Sequence, residues 1–301
     1  MNDSVLRIWR PIKSAGLPPS VFPYSAIRFP LSLKFCATGT TIFRLSVRDC
    51  FIWTRRPTHI VKMAQSSSIP DSTSSFAYAE IILVRHGETE WNADGRIQGH
   101  LDVELNEVGR QQAVSVADRL SKEPKISAVY SSDLKRALVT AETIAASCGG
   151  LEVSPWMLVN QDADLRERHL GFLQGLVLSE AAKISPEAYQ SFLCRRDDQD
   201  IPGGGESLDQ LYQRCTSSIQ RIARKHIGER VIVVTHGGVI RALYRRACPN
   251  KKPVGKVLNT SINIFHIFGE KKWTVKVWGD VSHLNQTEYL ESGFGGDTTS
   301  G

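Results

Sequence analysis

Hydrophobic and polar positions follow two regimes along the chain, and the change falls near Ala79. From there on, short apolar runs of strand length alternate with longer stretches of helical spacing. Residues 79–84 form an apolar, β-branched run that reads as a strand. Residues 107–120 place Val108, Ala113, Val116, Ala117 and Leu120 on one helical face, and 126–130 is a second strand. The spacing predicts a helix over 134–146, opened by Ser131, Ser132 and Asp133, any of which could cap it. A short strand at 151–153 and a helix at 185–193 follow. Ser207 and Gln210 have the spacing of a capping box, opening a helix that runs to about Lys225. Residues 231–234 form a buried strand, 238–246 a helix, and 262–268 with 273–278, joined through Gly269-Glu-Lys-Lys, a closing hairpin.

Strands separated by helices imply an α/β chain: a three-layer α/β/α sandwich with a mostly parallel central sheet. The final hairpin is expected to add an antiparallel edge. No internal repeat interrupts this pattern, so one domain over about 77–290 is expected, with 291–301 a disordered tail.

The first 62 residues belong to the other regime. They are rich in Arg, Ser, Pro and aromatics and show no sustained period of 3.6 or 2. Two readings fit: an organelle transit peptide, or an upstream extension that is never translated. Met63 opens Met-Ala-Gln-Ser-Ser-Ser, a plausible true start, and 63–76 reads as a flexible leader. The first reading places the protein in chloroplast or mitochondrion, and the second in the cytoplasm.

Composition changes the picture at one point. The net charge of +6 over 301 residues suggests a polyanion partner. However, residues 1–62 hold ten Lys/Arg against Asp3 and Asp49 alone. The remainder carries 27 basic and 29 acidic residues and is nearly neutral, so a nucleic-acid partner loses its main support. The six cysteines are scattered without a C-x-x-C pair, which argues against a zinc site or a disulfide scaffold. Charged residues interrupt the apolar N-terminal stretch, so no membrane span is expected.

Ligands of open α/β sheets sit beyond the carboxyl ends of the strands. Two of the predicted ends carry histidine. The first reads Val84-Arg85-His86-Gly87-Glu88-Thr89, and the second Val234-Thr235-His236-Gly237-Gly238. A single such histidine is more often a loop or core residue; two in matched positions, one after an arginine, point to a shared site.

Here the sequence resembles branch 1 of the histidine phosphatase superfamily, its phosphoglycerate-mutase-like branch. Arg85-His86-Gly87-Glu88-Thr89 matches the family signature. Further blocks follow in family order over 79–284: Trp91-Asn92, Leu105-Asn-Glu-Val-Gly109, Ser131-Ser-Asp-Leu-Lys-Arg136, Leu165-Arg-Glu167-Arg and Thr235-His236-Gly-Gly. Within the family, the set looks most like plant proteins called phosphoglycerate mutase-like.

The resemblance implies a phosphoglycerate-mutase-like fold and a phosphohistidine intermediate on His86, with Glu167 as proton donor and His236 as a further catalytic group. Arg85, Asn92, Arg136 and Gly237 would bind the phosphoryl group. The residue types suit the reaction, because phosphoryl transfer asks mainly for positioning and for charge on the phosphoryl oxygens. Arginine forks supply that charge bidentately, so neither a metal nor any other cofactor is implied. Each residue also has a plainer reading: an ion pair with Arg166 or Arg168 for Glu167, a surface helix position for Arg136, an ordinary turn for Asn92. The run Pro202-Gly-Gly-Gly-Glu206-Ser207 lacks the Gly-Lys-Thr/Ser ending of a phosphate loop and reads as a flexible helix entry. His100, His169, His226, His266 and His283 are expected to be structural or surface residues, and Trp273 and Trp278 core.

The expected partner is a small phosphorylated metabolite, with a homo-oligomer possible. Where the family's mutases place a tyrosine and a lysine, this chain has Leu170 and Leu178. Those departures favour a phosphatase acting on a small phosphomonoester over a mutase, and the presence together of Arg85, His86, Arg136, Glu167 and His236 weighs against a catalytically silent binding protein.

Overall fold

A computed structural model describes residues 77–148, 158–194, 196–251 and 255–284. All of these fall within the compact unit Ile69–Gly301. The expectations for 1–62, 63–76, 151–153 and 291–301 lie outside the described residues.

Among the described residues, six strands form one sheet in the order β3-β2-β4-β1-β5-β6. They are β1 (Ala79–Arg85), β2 (Ala128–Ser131), β3 (Asn160–Gln161), β4 (Arg230–Thr235), β5 (Ile262–Phe268) and β6 (Lys272–Asp280). β3, β2, β4 and β1 run parallel, while β5 lies antiparallel to both β1 and β6. The mostly parallel sheet and antiparallel edge therefore agree with the sequence pattern.

Alternation of side chains explains the layers. Ile81, Leu83, Val231 and Val233 face one way, onto α6 (Leu208–Lys225) and α7 (Gly237–Ala247). Ile82, Val84, Ile232 and Val234 face the other way, onto α2 (Glu107–Ser121) and α3 (Lys135–Cys148). β1 and β4 are buried on both faces, which is why they read as unbroken apolar runs.

Local signals set several helix starts. Ser207 and Gln210 form the capping box of α6, and Asn106 Oδ1 caps α2 through Gly109 N at 2.7 Å. α3 departs from the sequence reading. Ser132 Oγ accepts from Leu134 N at 3.3 Å, but Lys135 N donates to Asp102 Oδ1 at 2.7 Å, a cap supplied by a distant loop. Asp133 turns away and forms a two-pronged pair with Arg166.

A smaller apolar cluster stands apart from the main core. Ile97, Leu170, Leu173, Ala181, Ala188 and Ile201 are buried together, joined by α4 (Leu178–Ile184) and α5 (Pro186–Leu193). The bridge Arg96↔Val177 ties loop 95–101 to this cluster. The Gly-rich run before α6 is packed at Gly205, while Gly204 faces open space. A Cβ on Gly205 would come within 2.7 Å of Ile201 Cβ, and one on Gly171 within 2.1 Å of Pro202 O.

Candidate active site

The register of β1 on β4 decides the geometry. Arg85 lies opposite Thr235, and His86 N donates to Thr235 O at 2.9 Å. The next residue of each strand is therefore a histidine at the same level. The two rings lie together, with centroids 5.1 Å apart and planes at 54°.

His86 is held by a local hydrogen bond. A carbonyl can only accept, so the 2.7 Å contact to Gly87 O makes Nδ1 the donor. The neutral ring then keeps its lone pair on Nε2. Gly87 N donates to Thr140 Oγ1 at 3.1 Å, which anchors this turn on α3. Glycine is needed here because a Cβ would lie 2.4 Å from Gly109 O.

Both arginines are buried, each about 1% exposed. Arg85 Nη1 donates to Val257 O at 2.7 Å. Arg136, in the first turn of α3, donates from Nη1 to Leu101 O and from Nη2 to Gly99 O, both at 2.8 Å. Two carbonyls thus orient its fork, and its Nε has no hydrogen-bond partner among the described residues. Burial draws the Arg136 pKa down to about 10, which leaves it cationic at neutral pH.

Glu167 is buried, and its oxygens meet main-chain donors. Oε1 accepts from Arg168 N at 2.9 Å and Oε2 from Gly238 N at 3.0 Å, in the first turn of α7. Burial pushes its pKa up, against the pull of those N–H groups and of Arg136 and Arg85. The alternative ion pair with Arg166 or Arg168 is not realised: Arg166 is taken by Asp133, and Arg168 Nε by Glu206 O. Gly238 N–H is thereby committed to Glu167; Gly237 opens the helix.

His236 is fully buried, and both its ring nitrogens lack a hydrogen-bond partner among the described residues. Burial, then Arg136, holds its pKa well below the usual histidine range; for His86 the order is burial, Arg136, Arg85. Asn92 spends its Oδ1 locally, accepting from Thr89 N at 3.1 Å within the capping box of α1 (Glu90–Ala93). Two imidazoles, two guanidinium forks and a carboxyl of raised pKa thus lie close enough to act on one another's charge, a constellation suited to a phosphoryl dianion.

The sequence reading missed the segment before β5. Asn259 Nδ2 donates to His86 O at 3.0 Å, and Thr260 N to Arg85 O at 3.0 Å. Thr260 holds φ at +55°, an uncommon value for threonine that costs on the order of 1 kcal/mol. Its hydroxyl lies 3.2 Å from His283 Nε2. The one hint in the sequence is position, since these residues precede the strand that flanks β1. His100 and His169 also lie nearer the site than expected. Their rings meet edge to face at 4.9 Å, and His100 Nε2 is 2.6 Å from Glu167 O.

The buried imidazoles make stability depend on pH. His86 and His236, and also His100 and His283 at about 4, have folded pKa values below the unfolded 6.5. The His283 value follows first from burial, with Asp280 pulling it up and Arg119 down. The folded chain therefore binds fewer protons than the unfolded one between those values and 6.5. Their contribution is complete above about pH 6.5 and is lost as the pH falls below it. Glu167, shifted up, works the other way, but it is one carboxyl against four imidazoles. The melting temperature is expected to fall between about pH 7 and pH 5, and millimolar phosphate to offset the fall by binding the folded state. Scanning calorimetry at the two pH values, with and without phosphate, checks this; a melting temperature indifferent to both would contradict neutral, buried imidazoles.

Such a site on a doubly covered α/β sheet defines a phosphoryl-transfer enzyme. The sequence profile of the histidine phosphatase superfamily (branch 1) matches residues 81–281, and the chain belongs to that family. It is 66% identical over 224 residues to phosphoglycerate mutase-like protein 4 of Arabidopsis thaliana, covering 74% of this chain and 95% of that one. It is 53% identical over 218 residues to a metal-independent phosphoserine phosphatase of the same plant, covering 72% and 88%. Among solved structures, Bacillus stearothermophilus YhfR superposes with a TM-score of 0.59 at 34% identity, over 69% of this chain and all (100%) of that one. The chain is a phosphatase of the histidine phosphatase superfamily.

Proposed function

We propose that this chain hydrolyses a small phosphomonoester with an alcohol leaving group, phosphoserine first among candidates, through a phosphohistidine on His86. His86 Nε2 forms a bond to phosphorus as the ester P–O bond breaks. Glu167 gives its proton to the departing alkoxide. The Glu167 carboxylate then takes a proton from water as the water oxygen attacks phosphorus, the N–P bond breaks, and inorganic phosphate leaves with His86 neutral again. Arg85, Arg136 and His236 hold the phosphoryl oxygens throughout, with Gly237 N–H and Asn92 Nδ2 as neutral donors.

The observation that carries this reading is the 2.7 Å bond from His86 Nδ1 to Gly87 O. It fixes the tautomer whose Nε2 is nucleophilic, beside His236. Hydrolysis rather than mutase chemistry is supported by Leu170 and Leu178, which pack into the apolar cluster and offer nothing polar to a reorienting phosphoglycerate. Phosphoserine is supported by the 53% identical relative named for that activity.

A panel of phosphoserine, phosphoglycerates, sugar phosphates and nucleotide monophosphates, assayed for released phosphate with and without a chelator, tests the proposal. Release from phosphoserine, indifferent to the chelator, is the expected result. Isomerisation of phosphoglycerate without release would overturn hydrolysis in favour of a mutase, and binding without turnover would point to a silent member of the family.

A further inference from the structure

Arg214, on α6, uses every N–H of its guanidinium. Nε and Nη2 donate to the two carboxylate oxygens of Glu206 at 2.7 and 2.8 Å. Nη1 donates to Asp164 O at 2.8 Å and Arg166 O at 2.7 Å, and Nη2 also to Glu167 O at 2.7 Å. The side chain therefore grips three carbonyls of the segment that carries the Glu167 carboxyl.

Glu206 continues the same grip further along the segment. Its Oε2 accepts from His169 N at 2.8 Å, its own N donates to His169 O at 2.8 Å, and its carbonyl accepts from Arg168 Nε at 2.9 Å. The backbone is thus fixed on both sides of Glu167, in a setting where the pair is mostly shielded from water: 17% of the Arg214 and 19% of the Glu206 side chain is exposed. None of these bonds reaches the His86–His236 cleft. A planar fork with five fixed donors can hold four acceptor groups in one geometry, whereas a lysine at the same place is a point charge with three rotating donors.

We infer that the Arg214–Glu206 pair positions Glu167 for proton donation to the leaving group. The Gly-rich run that ends in Glu206 then has a mechanical role, because it delivers one half of this clamp. The inference rests on Glu167 being the proton donor, so the experiment tests both together and separates them.

Proton donation matters for an alkyl phosphate such as phosphoserine, whose alkoxide is a poor leaving group, and far less for p-nitrophenyl phosphate. The ratio of kcat/KM for the two substrates, which reports the first chemical step alone, is therefore the readout. Arg214→Lys and Glu206→Gln are each expected to lower kcat/KM on phosphoserine about tenfold or more beyond their effect on p-nitrophenyl phosphate, since a misplacement near 1 Å can cost about a hundredfold. On a Glu167→Gln background, Arg214→Lys should add no further selectivity, because both changes act on one proton transfer.

Equal losses on both substrates for Arg214→Lys and Glu206→Gln, beside a selective loss for Glu167→Gln, would overturn the positioning role and leave Glu167 as the acid. Equal losses for Glu167→Gln itself would overturn the acid assignment, and the inference with it. Glu206→Gln keeps the shape of the side chain and one of its two accepting oxygens, so it supplies the reading even where Arg214→Lys lowers the melting temperature.

Discussion

His86→Ala is expected to bring phosphate release down to background on every substrate, a loss on the order of 10⁵-fold or more, and to abolish an acid-labile phosphoenzyme. No neighbour can take over the attack. His236 stands close by, but nothing among the described residues fixes its tautomer, and its ring N–H is left to donate to an oxyanion. His86 has the Nδ1–H···O=C bond that presents an unprotonated Nε2. The variant should still bind phosphate, because Arg85 and Arg136 are held by carbonyls and not by the imidazole. Its melting temperature should also fall less steeply with acid, since one buried ring that resists protonation is gone. Rapid acid quench after incubation with labelled substrate, beside equilibrium phosphate binding, measures both halves. Label retained on the alanine variant would move the nucleophile elsewhere.

Glu167→Gln is expected to lower kcat/KM on alkyl phosphates by roughly 10² to 10³, within the usual worth of a positioned general acid. The amide matches the carboxyl in shape but can accept only one of the two main-chain N–H bonds that Glu167 receives. The proton available to the leaving group disappears. Burial raises the pKa of Glu167, so the acid form survives to higher pH than for an exposed glutamate. Activity must then fall as the pH rises through that value, and the alkaline limb of the kcat/KM profile should be absent in the variant. The acid limb, set by protonation of His86, lies below the ordinary histidine range in both proteins, because burial and two arginines lower that pKa. With p-nitrophenyl phosphate, the variant should release a burst of nitrophenol and then turn over slowly, since the base that activates water is also missing. An unchanged pH profile with wild-type rates would remove Glu167 from the chemistry.

Much of this site is legible in the chain because its strongest signals are local. An apolar run followed by His-Gly announces a strand whose end carries an imidazole, and β1 and β4 both obey it. Ser207 with Gln210 announces a helix start, and α6 begins there. Arg136 and Glu167 could be assigned only through their order among family blocks, since nothing local separates a buried Arg136 from a surface helix residue.

The residues that the chain does not announce are those whose partners come from far away. Asp102 caps α3 beside Ser132; Asn259 and Thr260 brace His86 and Arg85; Arg214 and Glu206 hold the loop of Glu167. A hydrogen bond between distant segments leaves no periodicity, and a threonine forced to φ +55° looks like any other threonine until its neighbours are in place.

By itself, then, the order of residues determined which segments are strand or helix and which chemical groups stand at their ends, because backbone preference and side-chain period act over a few residues. Only the tertiary structure decided that β1 lies beside β4 with Arg85 level with Thr235. That register brings the two imidazoles to 5.1 Å. It also buries Glu167 against the start of α7, because removal from water and convergence of charge exist only once the sheet has closed its layers.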